Sequence, residues 1–214
     1  MSTELLDVYD ENMQKIGVME RDKVHKTGAW HCSFHCWIVR RTNDGQFVLF
    51  QKRGPEKELF PNFLDISVAG HLSSGESPKD GIRELREELG IRSSFAELKP
   101  LGVRCEVVNM NGLINREFCF TYLLENNLPL EKYRIQEEEV SGLVQMSVEN
   151  GLNLFSGELP WVQVWGFLLT KGTSRDLKAF SVSAKDVIPR PGGYYTSVFI
   201  MAERYLQGLK YLGI

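Results

Sequence analysis

Three glutamates lie close together in the segment ESPKDGIRELREELGI, residues 76–91. Glu84, Glu87 and Glu88 occupy positions i, i+3 and i+4, so a helix places them within about 100° of one face. Like charges at this spacing repel one another. A bound hard cation such as Mg²⁺ would offset the repulsion, because it prefers oxygen ligands. The spacing therefore indicates a divalent-metal site on a helix.

The same helix also carries residues that suit a core and residues that suit solvent. A separate arc holds three aliphatic side chains that can anchor it: Ile82, Leu85 and Leu89. Arg83 and Arg86 could instead neutralise part of the acidic face, which leaves a solvated amphipathic helix as the alternative. Ser77, followed by a proline, predicts an N-cap, and Gly90 predicts the C-terminal end.

The elements that must position this helix alternate between strands and helices. Asn43-Asp44-Gly45 predicts a hairpin turn. Strands are predicted at residues 5–19 (two short ones around a polar turn at residues 10–12, forming an N-terminal hairpin), 32–40, 46–51, 64–69, 101–108, 117–124 and 140–146, with a turn containing Asn111-Gly112. Helices are predicted just after residue 147, at 161–169 and at 194–211. This order predicts an α/β/α sandwich with a mixed β-sheet, formed by residues 1–160, and a C-terminal helical extension, residues 161–214, packed on the same domain.

Residues 70–91 resemble the Nudix box, G-x5-E-x7-R-E-U-x-E-E-x-G-U, where U is aliphatic. Matching positions are Gly70, Glu76, Arg83, Glu84, Leu85, Glu87, Glu88, Gly90 and Ile91. Six residues separate Glu76 from Arg83, where the family has seven. The shorter gap puts in doubt the usual contact between these two side chains.

The resemblance implies a Nudix fold and a hydrolase that attacks phosphorus with a metal-activated water. Glu87 and Glu88 would be the main Mg²⁺ ligands, joined by Glu84 and the backbone carbonyl near Ala69, with Mn²⁺ as an alternative ion. Glu84 would be the general base, with Arg83 beside it in the catalytic motif. Some members use a later glutamate, for which Glu137, Glu138 and Glu139 are candidates; the alternative for this triplet is a solvated acidic loop.

The segment KRGPEKELFPNFLDISVAGHLSSGES, residues 52–77, is similar to the branch that contains type I isopentenyl-diphosphate isomerases and their hydrolase relatives. This wider similarity covers roughly residues 5–155. Arg53 and Lys57 match residues that bind the diphosphate in those isomerases, and His71 is a further substrate-binding candidate. The alternative for the two cations is a solvated basic loop.

The same isomerases bind a metal through histidines. His31 and His71 match two of these, and His25 matches a third if one residue is missing between it and His31. Glu117 matches one of a glutamate pair, but Asn115 stands where the other should be. Ala69 stands where the isomerases carry their catalytic cysteine, and alanine has no thiol for proton transfer. Hydrolysis is therefore favoured over isomerisation.

Two further patterns have structural interpretations. The segment HCSFHC, residues 31–36, invites a zinc site, but a strand points its histidines and its cysteines to opposite faces. A group of aromatic residues could line a pocket for a ring, although such residues are more often core: Trp161, Trp165, Phe167, Tyr194 and Tyr195.

Composition narrows the functional classes. The net charge of −3 argues against a broad basic surface for nucleic acid. The acidic N-terminus does not resemble a secretory signal, and no apolar run reaches the length of a membrane span. The four cysteines are therefore expected to be reduced thiols in a cytoplasmic protein. The last helix is expected either to cap the cleft or to form a homodimer interface.

Three hypotheses follow for the function. The first is an Mg²⁺-dependent Nudix hydrolase that cleaves a diphosphate linkage in a nucleoside diphosphate derivative or a related organic diphosphate. The second is an enzyme similar to isopentenyl-diphosphate delta-isomerase. The third is a non-catalytic module that binds a small-molecule diphosphate without turning it over.

Overall fold

The computed structural model describes residues 4–57, 59–110, 113–169 and 175–214. Eleven strands of this described part form one mixed sheet. They are β1 (Leu5–Tyr9), β2 (Lys15–Glu20), β3 (Trp30–Thr42), β4 (Gly45–Arg53), β5 (Leu64–Asp65), β6 (Val68–His71), β7 (Lys99–Met110), β8 (Leu113–Glu125), β9 (Val140–Ser147), β10 (Val162–Leu168) and β11 (Lys178–Val182). The α-helices are α1 (Arg21–Thr27), α2 (Arg83–Leu89), α3 (Val148–Phe155) and α4 (Tyr194–Leu206). Within these ranges, no helix is both long and apolar enough to cross a membrane.

Strand β3 is the centre of the sheet. The main strand order is β11-β10-β9-β4-β3-β1-β2, and β8 pairs with β3 in parallel while β7 pairs with β8. The short strand β6 lies antiparallel to β3 and places Ala69 opposite His35. On the parallel side, Glu117 lies opposite His31. Strands β6 and β8, which are far apart in sequence, thus meet at β3.

The sheet has helices on both faces, as the sequence predicts. Leu85 and Leu89 of α2 are buried against one face, in a cluster that includes Phe34. Helices α3 and α4 cover the other face, where Trp37 and Phe199 belong to a second cluster. Burying an apolar face on each side of a sheet is what stabilises a three-layer domain, and the α/β/α prediction is confirmed.

The predicted hairpins are confirmed, at β1–β2 and β3–β4. The predicted turn at Asn111-Gly112 lies outside the described residues. The prediction of a helix at residues 161–169 is wrong, because Val162–Leu168 forms β10 between β9 and β11. Val162 and Val164 are buried and alternate with exposed Gln163 and Trp165, which is the period of a strand. The C-terminal extension is therefore only partly helical, and the boundary at residues 160/161 stays a prediction.

The ends of two helices also differ from the predictions. Ser77 does not cap α2, because its hydroxyl donates to the Asp80 carboxylate (2.6 Å) and a 3₁₀ turn at Asp80–Ile82 precedes the helix. Gly90 does end α2, in the left-handed conformation (φ 68°) that glycine adopts without strain. Helix α4 ends at Leu206 rather than at residue 211.

Candidate active site

A cleft of about 680 Å³ opens beside α2. Its wall includes residues of α1, the loop after β4, strands β5–β8 and the segment before α4. All three glutamates of the predicted metal site line it, and so do the three predicted substrate-binding residues: Glu84, Glu87, Glu88, Arg53, Lys57 and His71. The fold therefore brings the predicted site residues together in one cavity.

Glu88 is buried in this wall, the side chain of Glu84 is 12% exposed, and Glu87 is half exposed. Glu88 accepts hydrogen bonds from the backbone N–H of Ala69 (3.2 Å) and from the amide of Gln51 (3.1 Å). Burial raises the pKa of Glu84 to about 7, although the charge of Arg83 opposes the shift. Burial, and next the charge of Glu84, raise the pKa of Glu88 well above its usual range.

These carboxylates fit a hard divalent cation. Two buried acidic groups that repel one another offer oxygen donors, which are the ligands Mg²⁺ and Mn²⁺ prefer. The backbone at Gly70 packs directly against Glu84, since a Cβ at this glycine would come within 2.1 Å of Glu84 Oε1. The glycine that opens the box motif thus makes the space in which this carboxylate sits.

Arg83 organises the acidic face. Its guanidinium donates to both oxygens of Glu76 (2.8 and 3.1 Å), to Glu84 (2.6 Å) and to Glu87 (2.9 Å). It also donates to the backbone oxygen of His71 (3.2 Å). The Glu76–Arg83 contact, which the shorter gap put in doubt, is therefore present. The shortened gap, residues 77–82, includes the 3₁₀ turn before α2, and the bidentate pair forms in this protein.

The basic residues at the end of β4 and in the loop after it are held by acidic partners. Arg53 donates to Asp65 (3.1 Å) and to the backbone oxygen of Leu59. Lys57 donates to Glu139 (2.7 Å), which also lines the cleft. Within the triplet 137–139, only Glu139 is among the residues that line the cleft in the described part of the chain. The sequence offered three equivalent candidates, and the fold selects one.

A second cluster of possible metal ligands lies on the same cleft. His25, His31 and His71 have ring centroids 5.0–5.3 Å apart, and their nearest nitrogens lie within 4.8 Å of one another. Glu117 Oε1 lies 3.5 Å from His31 Nε2 and 3.4 Å from His71 Nε2. Imidazole nitrogens with one carboxylate suit a transition metal, so these residues fit such an ion. Asn115 also lines the cleft.

The electrostatics of this cluster favour neutral imidazole at His25. Burial, followed by the charges of His71 and His31, lowers the pKa of His25 to about 4. Burial raises the pKa of Glu117, but its close contacts with His31 and His71 outweigh this and hold that pKa well below its usual range. His25 comes from α1, at a place where the sequence predicts no helix. Its polar residues and the short length of seven residues hid the helical period.

The histidine and cysteine side chains of residues 31–36 lie on opposite faces of β3, as the strand period predicts. His31 faces the histidine cluster, whereas Cys32 and Cys36 are buried in the core on the α2 side. The aromatic group does not line the cleft within the described residues. Phe167, Tyr194 and Tyr195 are buried in the core, and Trp161 and Trp165 are exposed.

His35 lies at the floor of the cleft and is buried and neutral. Its ring contacts Tyr194 Oη (3.1 Å) and Ser33 Oγ (3.3 Å), and burial, then the charge of Arg190, lowers its pKa from 6.5 to about 3. The unfolded chain gains this proton near pH 6.5 and the folded protein does not. The free energy of unfolding should therefore fall by roughly 3–5 kcal/mol at most as the pH falls from about 6.5 to about 3.

The variant His35→Gln is expected to flatten this acid dependence, because glutamine can replace the two hydrogen bonds without titrating. Urea unfolding at pH 7, 6, 5 and 4 measures the effect, with the native protein as the reference. Parallel pH profiles for the two proteins would show that His35 is not the group responsible.

A family model described as the NUDIX domain matches residues 29–159, which is more than half of the chain. The chain belongs to the Nudix family. An uncharacterized Nudix hydrolase of Clostridium acetobutylicum is 39% identical over 198 residues, covering 92% of this chain and 96% of that protein. Nudix hydrolase 3 of Arabidopsis thaliana is 36% identical over 75% of this chain, which spans 21% of the plant protein's length.

Relatives of the isomerase branch are also found. The isopentenyl-diphosphate delta-isomerase of Pectobacterium atrosepticum is 29% identical over 65% of this chain and 74% of its own length. The crystal structure of a Deinococcus radiodurans protein superimposes with a TM-score of 0.55 at 23% identity, covering 72% of this chain and 90% of the other. That likeness supports the Nudix fold.

Proposed function

We propose that this Nudix hydrolase uses Mg²⁺ to cleave the diphosphate linkage of a nucleoside diphosphate derivative or a related organic diphosphate. The observation that carries the proposal is that Glu84, Glu87 and Glu88 line the same cleft as Arg53 and Lys57. Acidic groups for a cation and basic groups for an anion thus share one cavity. A diphosphate bound to a divalent metal ion matches this arrangement, since the metal is a cation and the diphosphate is an anion.

The residues divide into metal-binding and phosphate-binding groups. Glu84, Glu87 and Glu88, with the backbone carbonyl at Ala69, would hold the metal, which would offset charge on the phosphoryl oxygens. Arg53 and Lys57 would bind phosphate oxygens, and His71, which lines the same cleft, would be a further substrate contact. Mn²⁺ prefers the same kinds of ligand and would be the alternative ion.

Glu84 is the better candidate for the general base. A base works best when its pKa is near the working pH, and burial raises the pKa of Glu84 to about 7. Both Glu84 and Glu139, the other candidate in the cleft, accept from a cationic side chain, but the Glu139 side chain is 40% exposed and that of Glu84 only 12%. In the proposed reaction a water oxygen forms a bond to one phosphorus and loses a proton to the base. The bridging P–O bond breaks, and the bridging oxygen leaves with the other phosphate.

The experiment that tests the proposal is a mass-spectrometric screen of organic diphosphates with Mg²⁺, run in H₂¹⁸O. It should include nucleotide sugars, dinucleotides, nucleoside di- and triphosphates, thiamine diphosphate and isopentenyl diphosphate. Hydrolysis should give phosphate-bearing products of lower mass with one ¹⁸O atom, and should stop when EDTA removes the metal. Absence of any product, or turnover that survives EDTA, would contradict the proposal.

Isomerisation is the second candidate, because the histidine cluster with Glu117 is present and isomerases are among the relatives. Ala69 argues against it, and none of the four cysteines lines the cleft described here. The same screen separates the two, since an isomerised diphosphate keeps its mass. A non-catalytic module would bind diphosphate tightly without product, and the complete set of carboxylates argues against that hypothesis.

A further inference from the structure

The segment between β11 and α4 reaches into the cleft. The Ile188 N–H donates to the backbone oxygen of Leu64 (3.0 Å), which docks the segment beside β5. Ile188, Pro189 and Arg190 all line the cleft. The family model ends at residue 159, so this wall comes from outside the matched Nudix domain.

Arg190 is fixed between two acidic residues of the sheet. Its Nη1 donates to Glu106 Oε2 (2.6 Å), and its Nη2 donates to Asp65 Oδ1 (3.1 Å). The guanidinium also lies over the ring of Tyr194, 5.5 Å from the ring centroid. Its buried Nε has no hydrogen-bond partner among the described residues. The group is therefore oriented rigidly and still has donors to offer.

Asp65 holds a second arginine in the same way. Arg53 Nη1 donates to Asp65 Oδ2 (3.1 Å), while Arg190 is bonded to the other oxygen of the same carboxylate. One buried carboxylate thus sets two guanidinium groups side by side in the cleft wall. Arginine pairs of this kind suit the several oxygens of a phosphate group, because each planar fork donates in a defined direction.

Glu106 holds Arg190 from the side opposite Asp65. It is shared between Arg190 and Arg104, whose Nε lies 3.4 Å from Glu106 Oε1. The two carboxylates thus fix the direction of the Arg190 fork, and both Arg190 and Arg53 line the cleft. A guanidinium carries five N–H donors, so an anionic ligand in the cleft would accept from those that the carboxylates leave free.

We propose that Arg190, delivered by the C-terminal segment, is a further substrate-binding residue that forms with Arg53 a clamp for a phosphate of the substrate's diphosphate group. The inference rests on the proposed function for the identity of the anion. It assigns the segment 188–190 a direct part in binding, beyond closing the edge of the fold. The competing interpretation is that Arg190 only fastens the C-terminal segment to the sheet.

Arg104 provides a matched control for that interpretation. It belongs to the same ion-pair network, its guanidinium also lies over the Tyr194 ring (5.1 Å), and it donates to the backbone oxygen of Pro191. Unlike Arg190, it is not among the described residues that line the cleft. If Arg190 has only a structural role, Arg104→Met and Arg190→Met should lower binding affinity by similar factors. A binding role predicts a larger loss of affinity for Arg190→Met.

The test is calorimetric binding of methylenediphosphonate, a non-hydrolysable diphosphate, to the full chain with Mg²⁺ present. Arg190→Met should weaken binding by about 10- to 100-fold, as expected for the loss of hydrogen bonds between charged groups. Arg104→Met should change affinity by less than about threefold. Thermal melts of both variants monitor folding, and similar losses of Tm are compatible with the proposal.

Native affinity in a folded Arg190→Met protein would overturn the proposal, as would equal losses of affinity in the two variants. If Arg190→Met does not fold, Arg190→Lys and Arg104→Lys carry the test. Lysine keeps the charge but loses the fork, so only the former should weaken binding, by at least about threefold. Because this readout needs no turnover, loss of the clamp is distinguishable from failure of the hydrolase assignment.

Discussion

Glutamine in place of Glu88 is expected to lower kcat/KM by on the order of 10³-fold, since stabilisation of transition-state charge by a metal is worth several kcal/mol. The variant should still fold. Burial raises the pKa of the Glu88 carboxyl, so the neutral amide is the less costly group at this position in the metal-free protein. Its oxygen can accept the same backbone N–H of Ala69.

Calorimetric titration with Mn²⁺, steady-state kinetics and a thermal melt together measure this prediction. Metal affinity should fall along with turnover, while the metal-free Tm should be equal to or above the native value. Glu158→Gln is the control, because Glu158 is exposed and lies outside the cleft. Turnover of Glu88→Gln within twofold of the native rate would remove Glu88 from the metal site.

Alanine in place of Gly70 is expected to reduce kcat/KM by roughly 10²-fold, although no ionisable group is replaced. The new Cβ would come within 2.1 Å of Glu84 Oε1 and 2.3 Å of its Cδ. No real contact is that short, so the Glu84 side chain must move. A displacement of about 1 Å at a catalytic group costs about 10²-fold in rate.

Gly17→Ala is the steric control, because its Cβ would meet the nearest side-chain atom, Val8 Cγ2, at an ordinary 3.7 Å. Kinetics of both variants against the same diphosphate measure the difference. The pH profile gives a second readout, since a carboxyl moved out of its buried position should have a lower pKa. Native kinetics for Gly70→Ala would show that the position of Glu84 does not limit the reaction.

Local spacing alone predicted the parts of the site that lie on one element. Helical spacing alone places Glu84, Glu87 and Glu88 on one face of the helix, however the rest of the chain folds. The same spacing places Leu85 and Leu89 on the buried face. The turns and the period-2 strands likewise predicted the first two hairpins. Where residues could fit either period, as at 161–169, the prediction was wrong, because only pairing with β9 and β11 decides between a helix and a strand.

The way Glu76 reaches Arg83 shows the limit of a motif taken by itself. The one-residue shortening altered the spacing that the family pattern prescribes, and no local rule says how the chain compensates. In the structure, a 3₁₀ turn lies between Glu76 and α2, and both oxygens of Glu76 accept hydrogen bonds from Arg83.

The amino-acid sequence by itself determined the acidic helix, the glycine that opens its motif and the basic loop near residue 53, because each depends on neighbours a few positions apart. Only the tertiary structure brought His25 to His31 and His71, chose Glu139 from its triplet and set Arg190 beside Arg53. Apart from His25 and His31, which are six positions apart, those contacts join segments separated by tens of residues or more. Their geometry is fixed by strand register around β3 and by the docking of the C-terminal segment on β5, which no local pattern encodes.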